Sequence, residues 1–190
     1  VKRATLALSY YFATLISTLI ICYAALAICL LYVSFIGWFI SFADVMFLML
    51  DVFLLVMFGT ALSSIINFFL SSQGQIAAVG TIMSAGYGFI CGAYMPISSF
   101  SSGLQKVVSF LPGTYGTSLV RNHSMNGAFR EIKSVGMPDD AVEMIRDGID
   151  CNLYFFDNKV DIPSMYIILA VTTIAFVGVY VALNALKRKP

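Results

Sequence analysis

Residues 6–36 read LALSYYFATLISTLIICYAALAICLLYVSFI, a run without a single Asp, Glu, Lys or Arg. A bilayer core about 30 Å thick is crossed by roughly 20 apolar residues of helix, so this run can cross with tilt or protrude. A signal peptide would have an apolar core of about half this length, followed by a small-residue cleavage site, and none follows here before the next apolar stretch. A helix buried in a water-soluble fold keeps a polar face, whereas this run is apolar all round. It reads as a membrane span.

Three more stretches qualify by the same measure: about 44–70, 76–95 and 163–186. Composition agrees. Of 190 residues, 59% are hydrophobic and 11% charged, against about half and a quarter in soluble domains. That excludes a disordered chain, a nucleic-acid binder built on a basic surface and a conventional water-soluble enzyme. The net charge of +1 leaves no bulk field to recruit a partner.

Charge is confined. Between Ala4 and Gln105 only Asp44 and Asp51 are ionisable acids or bases of the Asp/Glu/Lys/Arg type, while 121–162 holds five basic and eight acidic residues. Lys2 and Arg3 precede the first run, and Lys187, Arg188 and Lys189 follow the last. An even number of spans puts both termini on one side, and the positive-inside tendency makes that side the cytoplasm. The segment 121–162 is then outside. Within it 127–133 reads as a brief helix. Pro138 to Gly148 reads as a better one, with proline and acids in the first turn and glycine at the stop. The expected fold class is all-α: a polytopic membrane protein in a single transmembrane domain, 1–190.

The third run has small residues at every fourth position, Gly80, Ser84, Gly88 and Gly92, a stripe that lets helices approach closely in lipid. Packing within the chain is favoured over a dimer contact. Pro96 ends that run. Phe100, Leu104, Val107, Val108 and Leu111 then follow the period of a one-sided apolar helix, too short to cross a bilayer. Pro112-Gly113 closes it and Thr114 to Val120 leads out, Tyr115 included. A short helix bracketed by prolines reads as a re-entrant or interfacial hairpin over about 97–120, lining or capping a cavity. A surface-lying helix with no role in transport is the alternative.

Asp51 lies seven residues beyond Asp44, or about 10 Å deeper along a helix and on the same face. A charged Asp deep in the core costs about 2.5–3.5 kcal/mol on insertion scales, so it requires a partner, a proton or a wet cavity. Asp44 and Asp51 are therefore candidates for a translocation pathway, against a structural hydrogen bond to a neighbouring helix. Cys22, Cys29 and Cys91 fall in spans and Cys151 outside, with no spacing that suggests a disulfide or a metal. His123 is the only histidine and has no ligand company. No metal site and no catalytic residue is expected: H-E-x-x-H and G-x-S-x-G are both absent.

The order of spans, Gly92-Ala93-Tyr94-Met95-Pro96, the short helix, Leu111-Pro112-Gly113-Thr114-Tyr115 and Leu119-Val120-Arg121 together resemble the ABC-2 type permeases. These are the membrane subunits of ATP-driven exporters, which include multidrug-resistance, polysaccharide and lipid exporters. Where that family often has a proline within the short helix, this chain has Ser102-Gly103-Leu104. The family usually has six spans, so the resemblance implies two further spans and a coupling helix ahead of Val1. It also implies that this part alone does not transport.

The resemblance implies a multi-pass protein of a bacterial plasma membrane that forms part of a substrate pathway. Its expected partners are membrane lipid, a nucleotide-binding ATPase subunit and a second permease half, identical or not, with no nucleic acid. ATP and Mg would be bound by the ATPase, and no cofactor by this chain, which lacks G-x-x-x-x-G-K-[ST]. An ion- or proton-coupled carrier and a non-transporting assembly protein are the alternatives. An apolar pathway with one or two acids suits amphipathic or cationic drugs, and lipids equally.

Overall fold

The computed structural model describes residues 3–156 and 158–186. Lys2, Lys187, Arg188 and Lys189, which carried the orientation argument, lie outside them. The chain is all-helical apart from one short hairpin. The helices are α1 (Arg3–Ile36), α2 (Phe42–Phe68), α3 (Gln73–Ile90), α4 (Ser102–Val108), α5 (Pro112–Ser134), α6 (Asp139–Gly148) and α7 (Ile162–Leu186). A single 3-10 turn, Ile97–Ser99, precedes α4. The strands β1 (Tyr154–Phe155) and β2 (Asn158–Lys159) pair antiparallel, with Tyr154 opposite Lys159.

Among the described residues three helices are long and apolar enough to cross a membrane, at Ala4–Ile36, Phe42–Phe68 and Ile162–Leu186, as in a membrane protein. The third expected span, α3, falls short of that measure. Two glutamines in its first turn and four glycines dilute its hydropathy, and it stops at Ile90 rather than Met95. Both α2 and α3 begin with capping boxes, Ser41 with Asp44 and Ser72 with Gln75. In each, the serine side chain accepts from the N3 amide while the N3 side chain answers the serine N–H.

Two boundaries differ from expectation for one reason. The hairpin does not close at Pro112, and 121 does not open a separate outer segment. Pro112 instead takes the first position of α5, where its missing N–H costs nothing. That helix runs through the expected boundary and absorbs the brief helix expected at 127–133. Its buried face includes Thr114, Tyr115, Ser118, Leu119, Asn122 and His123. Ser118, Asn122 and His123, on either side of the expected start of the outer segment, are bonded inside the protein. The short helix is also smaller than its apolar period implied, since α4 has 7 residues. Val108 points into the core while Leu104 and Val107 are exposed.

α2 is packed between α1, α5 and α7. Ala7, Tyr11 and Leu15, four residues apart, form the buried stripe of α1, and Tyr11 Oη donates to the Met57 carbonyl at 3.0 Å. The main core gathers Phe58 of α2, Leu119 of α5, Met165 and Leu169 of α7, Ile97, Val108 and Leu153. A smaller cluster of Phe129, Val142 and Cys151 seats α6 on α5. Among the glycines, Gly127 leaves the least room for a side chain. A Cβ there would overlap the Phe39 carbonyl, so the α1–α2 corner rests directly on the α5 backbone.

Candidate functional site

The polar residues of α5 meet the two acids of α2 in register. Asp44 and Asp51 are two helical turns apart, and so are His123 and Arg130. The helices run antiparallel, so Asp51 meets His123 where Asp44 meets Arg130.

The first rung joins three helices. Asp51 is fully buried, with Oδ2 2.6 Å from His123 Nδ1 and Oδ1 accepting from the Tyr166 hydroxyl of α7. The His123 ring stacks on Phe47, with centroids 5.0 Å apart and planes 18° apart, and faces Tyr166 at 6.3 Å. With Asp51 ionised, Nδ1 carries the proton and donates it. Carboxylate, imidazole and phenol thus form one hydrogen-bonded group that can hold a proton between them.

The second rung closes the N-terminal end of α2. Asp44 Oδ1 accepts from Asn126 Nδ2 at 2.8 Å, and Oδ2 accepts from Arg130 at 2.7 Å. The same Oδ2 accepts from the Ser41 amide at 3.0 Å and hydroxyl at 2.8 Å. One carboxylate therefore caps α2 and tethers α5.

A third cluster ties the exit of α3 to the loop after α6. Arg121 donates to Asp150 Oδ2 at 2.9 Å and to the Gly92 carbonyl. The Asp150 carboxylate also accepts from the amides of Ile97 and Ser98. Gly92 and Asp150 both hold left-handed backbone, at φ 80° and 56°. Glycine adopts this freely, and aspartate at some cost. Nearby, Asn122 donates to the Cys151 carbonyl and accepts from Arg146 at 2.8 Å, while Arg146 lies 5.0 Å over the Phe129 ring. Burial pushes the Cys151 thiol up from its ordinary value.

Beside these clusters a cleft of about 380 Å³ separates α2 from α3. Leu55, Gly59 and Leu62 line it on α2, Gly80, Ser84 and Tyr87 on α3, and Gly113 and Thr117 on α5. Among the described residues no Asp, Glu, Lys, Arg or His lines it.

Of the residues singled out from sequence, Asp44 and Asp51 share a face and are 3% and 0% exposed. Both are bonded to α5, and neither lines the cleft. His123, read as solitary, is the partner of Asp51. In the small-residue stripe, Gly80 has open space around it and Ser84 faces the cleft. Gly88 makes room for the Tyr94 ring, and Gly92 for Ile97. At those two glycines the close packing is with the α3 exit loop, not with another helix. Pro96 precedes the 3-10 turn, Phe100 packs on the core and Leu104 is exposed. Thr114 and Tyr115 brace the α4–α5 corner by donating to the Val108 and Ser109 carbonyls, at 3.0 and 2.6 Å.

Sequence reasoning missed Tyr166, Asn126, Arg130 and the Arg121–Asp150 pair. The matching seven-residue spacings were the one available signal for the ladder. Nothing in the sequence marks Tyr166. All four cysteines are free, and among the described residues no group of His, Cys, Asp or Glu could hold a metal ion. No protein-family model, no curated protein and no solved structure matches this chain.

Proposed function

We propose that the chain is the membrane-spanning permease part of an ABC-2 type exporter. It forms one wall of a translocation pathway and is driven by a separate ATP-binding subunit. The observation that carries the reading is the course of α5. Its start, at Gly116, meets Leu55 midway along α2, and Gly127 meets Phe39 and Ile40 ahead of that helix. That course supports reading the path from Gly92 through α4 into α5 as a hairpin entering from the outer end, beside the α2–α3 cleft. In this reading α3 is the fourth span, lying against substrate or a second permease half. Both termini are cytoplasmic, in a plasma membrane.

The direct test is transport by the full complex in inverted vesicles. Export should require ATP and should stop when the ATPase subunit is removed. Undiminished transport on an ion gradient alone, without nucleotide, overturns the reading. That result would favour an ion- or proton-coupled carrier, for which the Asp51–His123–Tyr166 group is the supporting observation. On the carrier reading Asp51→Asn abolishes pH-dependent transport. On the exporter reading it weakens the outer closure and leaves ATP dependence intact.

A further inference from the structure

The short helix α4 and the β1–β2 hairpin both stand beside the first turns of α7. Val108 of α4 and Leu153 at the base of the hairpin are buried in one cluster with Met165 and Leu169 of α7. The hairpin closes at that base, where the Val160 amide donates to the Leu153 carbonyl at 2.8 Å. Beyond it, two aromatic residues of the hairpin reach the end of α4. The Phe110 ring lies 5.2 Å from Phe155 and 5.8 Å from Phe156, and those two are 4.9 Å apart, all three edge to face. Lys106 Nζ sits 5.9 Å over the Phe156 ring.

This cluster is not a core. Phe110 is 63% exposed and Phe156 48%, and Val107, three residues before Phe110, is 62% exposed. Adjoining exposed aromatic rings mark a contact surface, whereas scattered single ones do not. Phe156 gives a second sign. Its backbone is left-handed, at φ 47°, where tight hairpins place Gly, Asn or Asp. A bulky side chain is an outlier there, and strain of this kind persists where the position of the side chain matters.

Depth decides the partner. α7 has 25 residues, a rise of about 37 Å at 1.5 Å per residue, against about 30 Å for the hydrocarbon core. Its first turns therefore fall at the boundary between headgroups and chains, and the aromatic cluster is held beside them. From that level inward α7 continues an apolar surface, with Ile167 and Val171 exposed. Phe and Leu toward the chains with lysine toward the headgroups are the residue set of interfacial segments, which sink about 5–10 Å. A lysine there lays its stem on the apolar surface and keeps its ammonium in water. At this depth the sequence neighbours Asp157 and Lys159 need not enter the hydrocarbon. We propose that α4 and the β1–β2 hairpin form one lipid anchor, with Phe110, Phe155 and Phe156 set into the headgroup boundary of the bilayer at the start of α7. It requires only that α7 crosses a membrane, and holds whether or not the chain serves an exporter.

Tryptophan fluorescence tests this in vesicles of phosphatidylcholine that carries bromine either near the headgroup or near the chain ends. Trp38, the one tryptophan of the chain, is first replaced by Phe. Phe110→Trp and Phe156→Trp, both at exposed positions, then report on the patch, with Ile174→Trp of α7 and Met144→Trp of α6 as lipid and water references. Both patch probes should lose more emission to bromine near the headgroup than to bromine near the chain ends, and Ile174→Trp the reverse. Quenching no greater than that of Met144→Trp overturns the proposal. So does blue emission without quenching, which would mean that protein covers the patch. Stronger quenching by chain-end bromine overturns the boundary placement, and quenching of one patch probe alone overturns the single anchor.

Discussion

Asp51 Oδ2 lies 2.6 Å from His123 Nδ1, across 72 residues of chain, in a site from which solvent is excluded at the carboxylate. The pair sets the register of α5 on α2. Two turns further along each helix the match recurs as Asp44 with Arg130. Antiparallel helices with partners at the same spacing can dock in only one way that satisfies both acids. A one-turn slip would part His123 from Asp51 and leave the carboxylate with Tyr166 alone.

Removing one member of a buried pair costs about 3–5 kcal/mol because the other stays desolvated and unpaired. Asp51→Leu strands both His123 and the Tyr166 hydroxyl, so it should lower Tm in detergent more than any single change at the Asp44 rung. The double variant Asp51→Leu/His123→Leu should recover part of the loss, since apolar pairs of similar size replace buried ion pairs at little cost. A double variant no more stable than Asp51→Leu alone would show that the rung does not govern docking.

Two glycines predict opposite outcomes. An alanine at Gly127 drives its methyl into the Phe39 carbonyl, which is backbone and cannot swing aside. Overpacking of this kind costs about 1–3 kcal/mol. At Gly80 the same methyl meets nothing within 4 Å, and a helix gains about 0.8–1.0 kcal/mol from alanine over glycine. Gly127→Ala should therefore lower Tm and Gly80→Ala raise it. If Gly80→Ala instead dissociates a dimer on size-exclusion chromatography, the small-residue face of α3 is an interface between copies.

What the sequence made legible follows from where charge is expensive. Long apolar runs had to be helices in lipid, and α1, α2 and α7 lie within a few residues of where hydropathy puts them. Asp51 had to have a partner, and it has two. The partners were hidden because α5 has the composition of a solvated segment. Asn122, His123, Asn126 and Arg130 carry no mark of burial in one dimension, and only the antiparallel docking turns them inward. The α3 exit was half legible: Gly92 and Pro96 announced a turn, yet the far end of its clamp is Asp150, beyond three more helices.

Asp150 is a second test of long-range fastening. Its carboxylate accepts from two backbone amides ahead of α4 and from Arg121. Asp150→Asn tolerates the left-handed backbone about as well as aspartate but loses the charge and one acceptor oxygen. Loss of charged hydrogen bonds here should cost about 1.5–3 kcal/mol. Limited proteolysis should detect it as new cleavage between 93 and 101, with α2 and α7 unaffected. Arg121→Met should give the same cleavage pattern, because it frees the same loop at Gly92.

Helix α6 should loosen in acid. The Asn152 side-chain amide, 2.7 Å from Glu143 Oε2, holds the Glu143 carboxyl below its ordinary range, with Lys159 at 3.3 Å assisting. Lys133 does the same for Asp139 at the start of the helix. A carboxyl with a folded pKa below its unfolded pKa stabilises the fold fully above the unfolded value. That contribution is lost as pH falls through the lower, folded value. Amide exchange of α6 should therefore accelerate as pH drops below the ordinary carboxylate range, once intrinsic exchange is corrected for. Glu143→Gln should flatten most of that dependence, and Glu143→Gln/Asp139→Asn the remainder. Exchange in α6 that tracks α2 at every pH would mean that α6 has no separate opening for these carboxyls to control.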